Sequence, residues 1–96
     1  MPIVLVHEGI TQEQYQETVR RLSGGTKDRA ESPADWPVDG LLVHIAGEGP
    51  HGFRVVDVWE SEEAARRFGD MLGPVMEEIG VQTEPEVYPA HTYVSA

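Results

Sequence analysis

Short apolar runs and amphipathic stretches alternate along the chain. Residues 3–6 form a continuous apolar run that ends at the polar residues 7–9, which predicts a central strand covered on both faces. Residues 40–46 predict a second strand, and the Val-rich residues 52–60 predict a third. The Gly- and Pro-containing residues 47–52 between them are typical of a hairpin turn. Residues 1–60 therefore supply three candidate strands.

The first helix is predicted from its cap. Thr11 and Gln14 have the spacing of a capping box, and apolar residues follow them at helical intervals. Glycines end this helix at residues 23–25. Residues 26–39 lack periodicity and predict a long loop with a helical turn near Trp36, whose side chain is expected to anchor the loop to the core.

The second helix and the end of the chain complete the pattern. A Ser cap opens the helix predicted over residues 61–79, and the Gly-Pro pair at residues 73–74 predicts a kink or restart inside it. Residues 86–88 and 92–94 are short strand-like pieces. Pro89 between them favours a bend or the edge of a sheet.

The order strand, helix, strand, strand, helix, strand predicts one ferredoxin-like α+β domain over residues 1–96. In this βαββαβ fold the antiparallel four-stranded sheet has its first and third strands in the centre and two helices on one face. The strands are apolar on both faces, so the second face is expected to be buried as well. A second copy is the simplest cover, which predicts a homodimer, sheet to sheet, closing toward a barrel.

Composition excludes several function classes. Seven basic and 17 acidic residues give a formal net charge of -10, which disfavours nucleic-acid and membrane-surface partners. The chain has no Cys, so disulfides, thiolate nucleophiles and iron–sulfur sites are excluded. No apolar run has membrane-spanning length, and the N-terminus does not look like a signal peptide. A cytoplasmic protein is the expectation.

Several segments together carry a resemblance to a known superfamily. Residues 53–61, with their aromatic-Trp-Glu-Ser junction, are followed by Phe68, the interruption at residues 72–75 and the closing residues 87–91. This arrangement resembles the dimeric α+β barrel superfamily, and most of all the small proteins related to antibiotic-biosynthesis monooxygenases. The resemblance implies a homodimer with a pocket between sheet and helices, lined by Trp59. The superfamily holds quinol-forming oxygenases, heme-degrading enzymes, isomerases, dehalogenases and proteins of unknown function, so it indicates fold more than activity.

No cofactor and no metal site are predicted. Heme-degrading members have an Asn near the end of the first strand and a His on the second helix, whereas this strand ends in Val6-His7 and residues 61–79 contain no His. His7, His51 and His91 lack metal-ligand spacing, although His7 and His91 are expected to approach each other across neighbouring strands. Phosphate-loop, dinucleotide and nucleophile-elbow motifs are absent from the sequence.

The hairpin places candidate site residues on one face of the sheet. A turn in which Gly47 faces Gly52 would set His44 opposite Val55, with alternate residues sharing a face. The predicted pocket residues on that face and on the second helix are Leu42, Phe53, Val55, Trp59 and Phe68. Asp57 and His44 are the candidate catalytic pair, because a carboxylate among Val and Trp side chains needs a partner or a shifted proton affinity. A one-residue slip would separate them.

Each candidate also has a purely structural explanation. Trp59 can be a core residue, Asp57 can bond a loop amide or a neighbouring His, and His44 can be a satisfied core histidine. Two functions follow. One is a cofactor-independent monooxygenase-like enzyme that removes a proton from a small aromatic or quinol-type molecule. The alternative is a non-catalytic dimeric domain with a structural role or a small hydrophobic or aromatic ligand. An enclosed pocket lined by His44, Asp57 and Trp59 would favour the enzyme.

Overall fold

The chain folds into one antiparallel sheet covered by two helices. A computed structural model describes residues 1–25, 38–50, 52–81 and 83–94, so Trp36 with its predicted helical turn and His51 lie outside the described residues. The elements, in chain order, are β1 (Ile3–Ile10), α1 (Gln12–Leu22), β2 (Leu41–Gly49), β3 (Gly52–Trp59), α2 (Glu62–Ile79) and β4 (Glu86–Pro89). The strand order is β2-β3-β1-β4. The predicted ferredoxin-like fold, with its first and third strands central, is confirmed.

The helix caps form as the sequence predicts. The Thr11 hydroxyl accepts the Gln14 N–H and the Gln14 side-chain oxygen accepts the Thr11 N–H, both at 3.0 Å. At the start of α2 the Ser61 hydroxyl accepts the Ala64 N–H at 3.1 Å. Gly80 ends α2 in the left-handed conformation, with φ of +90°. These caps fix where each helix leaves the sheet.

Helix α2 continues through Pro74, so the restart predicted at residues 73–74 is wrong, and the kink stays a prediction. Gly73 has no Cβ to collide with the proline ring, which removes the usual steric conflict before a proline. Pro74 cannot donate to the carbonyl of Asp70, but Asp70 is exposed and that carbonyl can bond to water.

Strand β1 is longer than the apolar run from which it was predicted. Residues 7–9 do not end it, because a β-bulge at Gly9, with φ of +80°, lets the strand continue to Ile10. The strand predicted at residues 92–94 is absent. The Ala90 N–H bonds the Pro2 carbonyl at 2.8 Å, just before β1 begins, so beyond this point β1 offers no edge with which to pair.

The core lies between the sheet and the helices. Trp59 is fully buried at the end of β3, where it pairs with Ile3 on one side and Leu41 on the other. Its ring stacks on that of Phe68 from α2, with centroids 4.8 Å apart. Trp59 therefore anchors α2 to the three strands of the sheet at this end.

Gly40 is a position where an added methyl group should destabilise the fold. Its φ is +107°, and a Cβ there would lie 2.8 Å from the Cβ of Ala64. We expect Gly40→Ala to lower the free energy of unfolding by at least about 1–2 kcal/mol. Gly69→Ala is the matched control, because a Cβ there meets open space on an exposed helix face, and it should raise stability by about 0.5–1 kcal/mol. Urea unfolding compares the three proteins, and equal midpoints would contradict both expectations.

Candidate functional site

A small cavity separates the sheet from the two helices, and it is the setting of the candidate site. The space that a water molecule can enter is about 30 Å³, enough for roughly two waters. The lining side chains come from β1, α1, β2, β3 and α2 and are mostly apolar: Leu5, His7, Ile10, Tyr15, Thr18, Val19, Leu22, His44, Val55, Asp57, Phe68, Leu72 and Met76. Leu22 and Met76 are the half-buried apolar members of this wall, so they mark the side from which a ligand can enter.

Three of the polar lining residues form a hydrogen-bonded chain. His44 Nδ1 lies 2.6 Å from Asp57 Oδ1, and His44 Nε2 lies 2.7 Å from the Tyr15 hydroxyl. An ionised carboxylate can only accept, so Nδ1–H of His44 donates to Asp57 and the Nε2 lone pair accepts the Tyr15 O–H. This fixes the His44 tautomer and presents its basic nitrogen at the cavity wall.

The His44–Asp57 contact follows from the hairpin register. Gly49, and not Gly47, faces Gly52, so His44 lies directly opposite Asp57, whereas the sequence placed it opposite Val55. The predicted register is wrong by two residues. A two-residue shift keeps each side chain on its own face of the sheet, because side chains alternate with a period of two. The predicted pairing of the two residues on one face is therefore retained, and the contact is closer than predicted.

The cavity lies away from Trp59, contrary to the prediction of a chamber beside the indole. Of the predicted pocket residues, Val55 and Phe68 line the cavity. Phe53 is buried but packs against Tyr15, with ring centroids 5.3 Å apart, and Trp59 is occupied by its stacking on Phe68.

Leu42 is also placed differently from the prediction. The pairing of β2 with β3 is irregular between Leu41 and Val43, so Leu42 has no partner on β3 and is 38% exposed. The buried position opposite Trp59 belongs to Leu41. A bulge of this kind turns the bulged strand locally, which a simple alternation pattern cannot anticipate.

Two site residues, Tyr15 and His7, were not among the sequence candidates. In the sequence Tyr15 is one of the apolar residues at helical spacing in α1, and the signal for its role is that a buried tyrosine hydroxyl requires a partner. His7 was assigned to a strand break. Ile3, Leu5 and His7 share one face of β1, but the continuous apolar run of residues 3–6 contains no alternation that would indicate this.

His7 is only 2% exposed and lies on β1 opposite Val55. Its Nε2 is 3.1 Å from the Thr83 hydroxyl, and within the described part of the chain its Nδ1 has no hydrogen-bond partner. The expected approach to His91 is wrong. His91 lies just past Pro89, which pairs with Ile3 at the other end of β1, and its own ring bonds Thr92 at 3.0 Å. His7 is a separate buried group of the cavity.

The stability of the chain should depend on the protonation of His7. Burial, the largest influence, lowers the pKa of His7 from its ordinary value of 6.5. As pH falls below about 6.5 the unfolded chain takes up this proton before the folded chain does, so the folded state loses stability. We expect the unfolding free energy to drop more between pH 7 and pH 5 in the wild type than in His7→Leu. Chemical denaturation at both pH values measures this, and parallel pH dependences would contradict it.

Other site types have little support in the described residues. No group of three or more His, Asp or Glu side chains with the geometry of a metal site occurs among them. Neither described helix combines the length and apolar character that crossing a bilayer requires. What the cavity offers is acid–base chemistry: a nitrogen base oriented by a carboxylate, a phenol that donates to it, and apolar walls that exclude water.

Comparisons with known proteins assign neither a family nor an activity to this chain. The chain matches no protein-family model and no curated protein sequence. A similar solved structure is that of a monooxygenase from the gene ActVA-Orf6 of Streptomyces coelicolor, in complex with nanaomycin D. It is 19% identical, with a TM-score of 0.46 over 99% of this chain and 91% of that chain. Similarity of this degree transfers neither substrate nor residue roles. The fold expected from the resemblance to antibiotic-biosynthesis-monooxygenase-like proteins is confirmed by the chain's own strand order and pairing.

Proposed function

We propose that the cavity binds a small molecule with a phenolic or enolic oxygen and that His44 removes a proton from it. The observation that carries this proposal is the chain of hydrogen bonds from Tyr15 through His44 to Asp57 at the wall of an otherwise largely apolar cavity. A buried base held in one tautomer by a carboxylate is suited to proton abstraction, since the carboxylate stabilises the imidazolium that forms.

The proposed step starts with the ligand replacing Tyr15 at His44. The ligand's O–H, or the C–H of its keto form, meets His44 Nε2. That bond breaks, the proton moves to Nε2 and the electron pair remains on the ligand as a phenolate or enolate. Tyr15, released from His44, can donate its O–H to the new oxyanion. The charge of Asp57 balances the imidazolium at 2.6 Å.

We propose further that the deprotonated ligand reacts with dioxygen. An enolate or phenolate with a neighbouring CH₂ group can react with dioxygen, which becomes one carbonyl oxygen of the product and one water molecule. Two hydrogens leave the carbon, so atoms and electrons balance without a further reductant. An apolar cavity admits dioxygen readily, but a ring-sized ligand needs more than the present 30 Å³. Displacement of Leu22 and of the flexible Met76 side chain would provide that space.

Acetylacetone, a small enolisable probe, tests the proton-transfer step. In deuterated buffer the wild type should accelerate deuterium uptake at its central carbon, as followed by NMR, and His44→Phe should not. His91→Phe is the matched control, because His91 is exposed and follows β4, at the edge of the sheet opposite β2. Oxygen consumption with phenolic substrates then tests the oxygenase form.

The outcomes separate the two functions. Binding of the probe without deuterium uptake would favour the non-catalytic ligand-binding alternative, and failure of both acetylacetone and phenol to bind would contradict the proposal. The small size of the cavity, about 30 Å³, is the observation that favours the other form of the alternative, a domain with a structural role.

We propose further that two copies pair through the sheet face opposite the helices. Alternate residues of the strands make this face apolar: Val4, Val6, Val43, Ile45, Val56, Val58 and Tyr88. Ile45 is 59% exposed and Tyr88 45% exposed. An apolar face of this extent on so small a domain is typical of an interaction surface, and a second copy supplies a complementary one.

Ile45→Lys should convert the proposed homodimer to a monomer. A lysine at this position would have to be buried against the apolar face of the second copy, which costs more than the interface can offset. Sedimentation of the wild type should give a dimer. Met71→Lys, an exposed change on α2, is the control that should remain dimeric. A monomeric wild type would contradict the dimer.

The cytoplasmic location expected from the sequence stays a prediction.

A further inference from the structure

The cavity has a second polar side chain, His7, which the proposed proton transfer does not use. His44, Asp57 and Leu5 lie side by side across β2, β3 and β1, and the next row on the same face contains Ala46, Val55 and His7. His7 and His44 are thus on strands either side of β3, and both line the cavity. A molecule in this space meets one histidine from each side.

The contacts of His7 leave one ring nitrogen for a ligand. Thr83 occupies Nε2 at 3.1 Å. This contact depends on the absence of a side chain at Gly9. A Cβ on residue 9 would lie 2.8 Å from Cγ2 of Thr83 and push it away. Nδ1, on the other side of the ring, is buried and has no partner within residues 1–25, 38–50, 52–81 and 83–94.

A buried ring nitrogen without a hydrogen bond is unfavourable, and no described residue supplies a partner, so a ligand in the cavity would gain a hydrogen bond there. If Nε2–H donates to Thr83, Nδ1 is an acceptor and takes a hydroxyl. If the Thr83 hydroxyl donates to Nε2, Nδ1–H is a donor and takes a carbonyl or phenolate oxygen. A hydroxyl group suits both tautomers at this end of the cavity, because it can donate to Nδ1 or accept from Nδ1–H.

We infer that the ligand of this cavity carries oxygen at two separate positions, one bound by His44 with Tyr15 and the other by Nδ1 of His7. The inference rests on the proposed function and names its ligand class: compact, apolar in the middle, with hydroxyl or carbonyl oxygens at two ends. His7 is the residue that distinguishes such molecules from those with a single oxygen, because a ligand with one oxygen leaves Nδ1 unpaired.

Phenol and the three benzenediols are the probes, with affinities measured by calorimetric titration. At least one benzenediol should bind the wild type about tenfold more tightly than phenol does, the contribution expected of one additional buried hydrogen bond. In His7→Leu the ratio of benzenediol to phenol affinity should fall to about one. His44→Phe should weaken phenol and benzenediol alike and keep their ratio.

The outcomes separate this inference from the proposed function. Phenol binding that depends on His44, with no benzenediol preference or with one that survives in His7→Leu, overturns the inference and leaves the proton-transfer site standing. Failure of every probe to bind overturns both.

Nitrogen NMR of the wild type provides the second measurement, should His7→Leu not fold. The preferred benzenediol should shift the Nδ1 resonance of His7, and phenol should not. An unchanged Nδ1 at saturating benzenediol would mean that an ordered water fills this position, and would overturn the inference.

Discussion

Trp59→Ala should lower the free energy of unfolding by about 3–5 kcal/mol, the usual cost of removing a large aromatic side chain from a packed core. Trp59 is fully buried, stacks on Phe68 at 4.8 Å and pairs with strands on both sides. Its loss would leave a cavity under α2 and detach the start of that helix from the sheet. A domain of this size has little stability to spare, so the variant is expected to be largely unfolded at 37 °C.

Trp59→Phe is the control for this experiment. It keeps an aromatic ring against Phe68 and removes the indole N–H, which has no partner within the described residues. The lost volume and the removed unpaired donor act in opposite directions, so Trp59→Phe should cost much less than Trp59→Ala. Thermal and urea unfolding measure both. A Trp59→Ala protein that folds normally but no longer binds phenol would instead make Trp59 a ligand-contacting residue, as the resemblance to the dimeric α+β barrel superfamily implies.

Asp57→Asn should reduce His44-dependent deuterium uptake by about 10²–10³-fold, within the range of general acid–base contributions. An amide at this position removes the charge that stabilises the imidazolium. It can also donate to Nδ1, which would reverse the His44 tautomer and leave Nε2–H unable to accept a proton. The side chains have nearly the same shape, so the fold should be kept. Deuterium exchange of acetylacetone, with phenol affinity measured beside it, separates catalysis from binding.

Asp70→Asn is the matched control, because it makes the same chemical change at an exposed position of α2. It should leave the exchange rate as in the wild type. If Asp57→Asn binds phenol and also exchanges deuterium at the wild-type rate, the His44–Asp57 pair has a structural role only. If Asp57→Asn both exchanges deuterium more slowly and unfolds, the slower rate would also indicate a structural role for the pair, because a buried pair disturbs folding when one partner is changed.

The fold was predictable because its determinants are local and repeated. The capping box at Thr11, the Ser61 cap and the apolar runs each specify one element, and their order allows few topologies. The errors arose where a single residue changed the local rule. Gly73 relieves the steric conflict of Pro74 and keeps α2 intact, and the bulge at Gly9 carries β1 past its polar residues.

The candidate site was predictable in part, since face and register are set by different features. Alternation placed His44 and Asp57 on one face, and an error of two residues did not change this. The contact with Tyr15 depends on how α1 packs over β2, which no short-range pattern encodes. Leu42 was misplaced because a bulge breaks alternation, and His7 was overlooked because a polar residue after an apolar run looks like its end.

Thr83 links the buried part of the site to bulk solvent. Its side chain is exposed, yet its hydroxyl bonds a histidine that is 2% exposed. A proton on His7 Nε2 can therefore exchange with water through the Thr83 hydroxyl. Substitution of Thr83 should therefore change how fast the His7 ring proton exchanges with solvent, although no residue that lines the cavity is altered.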